Sequence, residues 1–120
     1  MADAVKAYQQ ADYAEAEKLL LAALQEAEKF GEQDPRFAAS LNNLAELYRA
    51  QGKYEQAELL HQRALAIAEK ALGPEHPAVA TTLENYAALL RKMGRNAEAE
   101  TSEAPAKAIR AKHAQENPPK

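Results

Sequence analysis

Three histidines, His61, His76 and His113, are the side chains of this 120-residue sequence best suited to proton or metal chemistry at neutral pH. Glu58 and His61 form an E-x-x-H pair. On a helix this spacing sets carboxylate and imidazole on one face, and it supplies half of a di-iron helix motif. The second pair that such a centre needs is missing, and no H-E-x-x-H occurs. His76 lies in "GPEHPAV", directly ahead of a proline, where capping a helix start is its natural role. Nucleophilic chemistry has little to build on. The chain has no cysteine, no G-x-S-x-G, no phosphate loop and no dinucleotide fingerprint. The sequence therefore predicts a non-enzyme with no metal and no cofactor.

Composition points to what positions these residues. Apolar residues make up 47% of the chain and aromatics only 6%, which suits a core of Ala and Leu. Ala, Leu, Glu, Lys and Gln favour helix, and β-branched residues are too few for a sheet. A net charge of −3 is too mild to announce a nucleic acid or membrane partner. The basic cluster of Arg91, Lys92 and Arg95 is too short for a nucleic-acid footprint. No run reaches the roughly 18 apolar residues that span a bilayer, and no signal peptide opens the sequence. A soluble, cytoplasmic, all-helical protein is expected.

The helices come in repeats. "KFGEQDPRFAASL" from Lys29 and "ALGPEHPAVATTL" from Ala71 share one outline, with Gly31, Pro35 and Leu41 answered 42 residues later by Gly73, Pro77 and Leu83. "LNNLAELYRAQGKYEQAE" from Leu41 returns as "LENYAALLRKMGRNAEAE" from Leu83. An earlier copy, "YAEAEKLLLAALQEAEK" from Tyr13, matches "YEQAELLHQRALAIAEK" from Tyr54 at a spacing of 41. Periods of this length mark stacked helical arrays.

Within a unit, Leu41, Leu44, Ala45 and Tyr48 form one amphipathic stripe. Gly52 allows a left-handed helix stop, and a second stripe follows at Tyr54, Ala57, Leu60, Ala64, Ile67, Ala68 and Leu72. Gly73 ends that helix. Asp34 is a predicted N-cap, and Pro35 and Pro77 stand at first-turn positions. In the third unit Pro105 should kink or break the last helix, and Thr101, Ser102 and Lys107 replace Leu59, Leu60 and Leu65, giving a polar outer face.

This pattern resembles the tetratricopeptide repeat, specifically the long variety of kinesin light chains, over about residues 4 to 110. The resemblance implies an all-α fold of antiparallel helical hairpins, about three repeats and roughly six helices, stacked as a right-handed solenoid. The expected domain is 1–112, with repeat 1 at about 1–33 (its first helix truncated), repeat 2 at about 34–73 and repeat 3 at about 74–112. Residues 113–120 are expected to be a flexible tail.

Stacked first helices form a concave wall. The stripe beside the buried one gives Asn42, Glu46 and Arg49 in the second unit, and Glu84, Ala88 and Arg91, with Lys92 adjacent, in the third. Val5, Tyr8 and Gln9 correspond in the first. By resemblance, this wall holds an extended partner peptide. An asparagine at the position of Asn42 would bind its backbone, and Arg49 and Arg91 would take acidic groups. Glu84 departs from that pattern. The competing reading is structural: Leu19, Leu20 and Leu21 at the N-terminal end would serve self-association into a homo-oligomer, alone or as part of a longer array.

Overall fold

The structure is a computed structural model that describes residues 2–117, with side chains from Asp12 onward. Among the described residues five helices follow one another: α1 (Ala2–Glu28), α2 (Pro35–Ala50), α3 (Tyr54–Leu72), α4 (Pro77–Lys92) and α5 (Asn96–Glu116). No strand occurs among the described residues. Helices α2 and α3 pair as one antiparallel hairpin and α4 and α5 as the next, while α1 packs on α2 and α3 on α4.

The punctuation works as its residues dictate. Asp34 caps α2, its carboxylate accepting from the Arg36 backbone N–H at 2.8 Å. The Arg36 side chain grips the same carboxylate at 2.9 and 3.0 Å. These bonds hold the Asp34 pKa at about 2. His76 caps α4 in the same way, its Nδ1 accepting from the Ala78 N–H at 3.0 Å. Pro35 and Pro77 each open their helix, where an absent N–H removes nothing from the hydrogen-bond ladder. Gly73 closes α3 at φ 94° and ψ 150°, a region essentially reserved for glycine.

The core repeats with the sequence. Ala27, Phe37, Ala38, Leu41, Ala64 and Ile67 form one buried cluster. Ala68, Val79, Ala80, Leu83, Ala106 and Ile109, their register counterparts, form the next. Alanines at the crossings let the helix backbones approach closely, so few large side chains are needed. Where Leu41 is fully buried, truncation to alanine would cost about 2–5 kcal/mol.

Two elements differ from expectation. Roughly six helices were expected and the described residues hold five, because α1 runs unbroken through the place where the other units turn. Gly52 and Gly94 make those turns at φ 80° and 78°. Their counterpart one spacing earlier is Ala11, a strong helix former that avoids positive φ. Likewise Pro105 does not break α5, which continues through it. An exposed proline still removes one backbone bond to the carbonyl of Thr101, but the packed Ala99, Ala106 and Ile109 on either side hold the helix together. The segment expected as a tail is helical as far as Glu116.

Candidate functional site

The first helices of the second and third units, α2 and α4, form the two walls of a groove. The floor comes from the C-terminal end of α3. A cavity of about 300 Å³ lies there, lined by Pro35, Ala38, Ala39, Asn42, Asn43, Ala68, Leu72, Ala78, Thr81, Thr82 and Asn85. None of these side chains is charged. Asn43 and Asn85 occupy the same register position on the two walls, exposed and half-buried respectively. Their amides offer donors and an acceptor to whatever enters.

Asn42 also lines the cavity, but its amide is engaged between helices. Its Nδ2 donates to Thr82 Oγ1 at 2.8 Å, and its Oδ1 lies 3.1 Å from His61 Nδ1. The proton positions follow from the chain of bonds. Thr82 uses its single hydroxyl proton on the Ala78 carbonyl, at 3.0 Å. It can therefore only accept from Asn42, which turns the Asn42 oxygen toward His61. Nδ1 must then carry the imidazole proton. The remaining nitrogen, Nε2, faces Glu46 Oε1 at 3.4 Å, and neither atom has a hydrogen-bond partner. Burial of the fully enclosed ring pushes the His61 pKa below its ordinary value, while the Glu46 carboxylate pulls the other way. The neutral ring stacks on Tyr86 with centroids 6.2 Å apart.

The arginines expected to receive acidic groups are occupied. Arg49 donates to Glu46 Oε2 at 2.7 and 3.2 Å. Arg91 pairs with Glu103 of α5. Glu84 is bound by Arg110 at 2.9 Å, which draws its pKa down. Ala88 and Lys92 are exposed and outside the cavity lining. The side chains of Val5, Tyr8 and Gln9 lie outside the described residues. The predicted stripe is thus rotated from the groove: of its described members, only Asn42 reaches the cavity. Asn43 and Asn85 were missed, although their recurrence 42 residues apart was visible in the sequence.

The E-x-x-H pair is separated by its partners. Glu58 accepts from Tyr86 Oη at 2.7 Å and from Arg95 at 2.9 Å, with Arg95 the main cause of its lowered pKa. His61 turns instead to Asn42 and Glu46. Glu17, the register counterpart of Glu58, accepts from Tyr48 Oη at 2.9 Å. In each of the first two units one glutamate therefore ties the second helix to the helix stacked on it. Leu19 and Leu21 are exposed, Leu20 half-buried. Successive residues diverge by about 100° on a helix, so these three leucines do not make one face.

The tetratricopeptide-repeat family matches the sequence at residues 4–70 and again at 36–110. The chain belongs to this family. Its repeats are of the long, kinesin-light-chain-like kind. Among solved structures it is similar to BtubC (BKLC) from P. vanneervenii, at 30% identity and a TM-score of 0.78. That alignment covers 94% of this chain and 46% of the other, so this chain spans about half the length of that relative. No curated protein matches. Tetratricopeptide repeats generally mediate protein–protein interaction. No helix among the described residues is long and apolar enough to cross a membrane.

Proposed function

We propose that the groove between α2 and α4 binds an extended segment of a partner protein without chemical turnover. The observation that supports this is the cavity of about 300 Å³ with a wholly uncharged lining, flanked by Asn43 and Asn85. Side-chain amides spaced along two parallel walls can bond the backbone of a peptide that has no partner strand. The small residues around them, Ala39, Ala78 and Ala38, leave room for a compact apolar side chain. An acidic ligand fits less well than expected from the sequence. It would have to displace Glu46 from Arg49 or Glu103 from Arg91.

Selection from a randomised peptide library at low and physiological salt tests this reading. The expected ligand is a neutral motif with a small apolar anchor. Its affinity should change little with salt and be lost in the Asn43→Ala/Asn85→Ala double variant. Selection of an acidic motif that the double variant retains and Arg49→Glu/Arg91→Glu loses would overturn it.

A further inference from the structure

A second surface emerges from comparing α1 with α3. One spacing of 41 residues relates Ala16, Leu19 and Ala23 to Ala57, Leu60 and Ala64. In α3 that ridge is covered by α2. Ala64 packs with Phe37 and Leu41, Ala57 packs with Ala45, and Leu60 touches both clusters. In α1 the same ridge is open: Leu19 is 62% exposed, Ala23 is exposed and Ala16 half-buried.

The ridge also carries charge. Asp12, Glu15 and Glu26 stand seven before, four before and seven after Leu19, so they share its face. All three are exposed. Among the described residues only Glu26 has an ion-pair partner, Lys29 at 3.0 Å, and both members of that pair are more than two-thirds exposed. Exposed pairs of this kind bind weakly. A second copy laid antiparallel on this face would set acids against acids. A helix with basic flanks would meet them with opposite charge.

We propose that the Ala16–Leu19–Ala23 face of α1 docks a basic amphipathic helix of a partner protein, held antiparallel as α2 is held on α3. The small residues permit close helix approach, and Leu19 is the apolar knob. The acids select the partner. This surface is separate from the groove and does not depend on it.

The α2–α3 pairing supplies the probe. Phe37 shares a cluster with Ile67, the counterpart of Glu26. The Tyr48 ring lies 5.5 Å from the ammonium of Lys53, the counterpart of Asp12. A synthetic end-capped peptide of residues 34–51 carrying Phe37→Lys and Tyr48→Lys would therefore place two ammonium groups against Glu26 and Asp12. The comparison peptide carries Phe37→Glu and Tyr48→Glu. Binding to the full chain is read by fluorescence anisotropy. The lysine peptide should bind at least about tenfold tighter at low salt, and the ratio should shrink as salt screens the exposed charges. Leu19→Gln should weaken the lysine peptide severalfold, and Asp12→Lys/Glu26→Lys should reverse the preference. These exposed positions leave the fold intact, which circular dichroism verifies. Equal affinity for the two peptides, binding of neither, or loss of binding in Asn43→Ala/Asn85→Ala instead would overturn the proposal. So would a dimer in sedimentation that Leu19→Gln dissolves, since the occupant would then be a second copy.

Discussion

Adjacent asparagines, Asn42 bonded between helices and Asn43 proposed to meet the ligand, give the sharpest test of the groove's construction. Asn42→Ala removes two bonds between helices, one to Thr82 and one to His61. Thr82 keeps its bond to the Ala78 carbonyl and loses only a donor it was accepting from. His61 is more exposed to the change, because its Nδ1–H is left inside a fully buried ring with no acceptor. An unsatisfied buried donor costs about 1–3 kcal/mol. The imidazole has a partial escape: moving its proton to Nε2 lets it donate to Glu46 Oε1, 3.4 Å away. The expected loss is therefore at the lower end, about 1–2 kcal/mol, or roughly 4–8 °C in Tm for a chain of this size. Asn43→Ala breaks no such tie. It places a better helix former at an exposed helical position, so stability should hold within about 0.5 kcal/mol.

Denaturant unfolding followed by far-UV circular dichroism measures both variants, and nitrogen chemical shifts of the imidazole report the change of tautomer. Peptide binding should show the reverse order, with Asn43→Ala the more damaging once its folded fraction is matched. If Asn42→Ala proves neutral, or Asn43→Ala destabilises as much, the bond chain derived for Thr82, Asn42 and His61 is refuted.

Two further outcomes follow from the same structure. His61 holds its proton less tightly in the fold than in the unfolded chain, because its burial opposes the cation; Glu46 and Arg49 of α2 and the Tyr86 ring of α4 surround it. Above about pH 7 both states are neutral and stability is flat. As pH falls through about 6.5 the unfolded state gains protons first, so unfolding free energy should drop with a slope of at most about 1.4 kcal/mol per pH unit. His61→Gln should flatten that interval, and a slope that survives the substitution would assign it elsewhere. Pro105→Ala restores a backbone donor in the middle of α5 at an exposed site. It should stabilise the chain by about 1–3 kcal/mol in urea unfolding, and no gain would mean that the helix has already relaxed around the proline.

Turns and caps were legible because they depend on a few residues acting locally. Gly73, Pro77, Asp34 and His76 do in the structure what their chemistry demands in any helical chain. Ala11 was legible too, since an alanine in place of Gly52 argues against a turn, but the strength of the repeat pattern pointed to two helices there. The groove was harder. Its walls are set by the crossing of α2 over α3 and α4, and a modest rotation about a helix axis moves the lining from the Asn42 stripe to that of Asn43. Amphipathic spacing cannot resolve such a rotation when both neighbours are asparagine. The engagement of Arg49 and Arg91 was invisible for a similar reason. Glu46 was readable as an i, i+3 partner of Arg49, but Glu103 comes from another helix, and only packing brings it to Arg91.

One register position shows how stacking, more than residue type, decides what a side chain does here. It is Leu20 in α1, His61 in α3 and Glu103 in α5. Leu20 is half-buried beside a single neighbouring helix. His61 is enclosed between α2 and α4 and gives up solvent entirely, which is why it must be neutral and bonded to Asn42. Glu103 has a side chain 31% exposed and is balanced by Arg91. The imidazole is therefore a consequence of full enclosure between two first helices that also line the groove. A ligand that spreads those helices would stretch the Asn42–Thr82 bond and loosen the acceptor that fixes the imidazole proton. Binding in the proposed groove would then be linked to protonation of His61 through one amide, and a ligand that leaves α2 and α4 in place should bind with the same affinity on either side of the His61 titration.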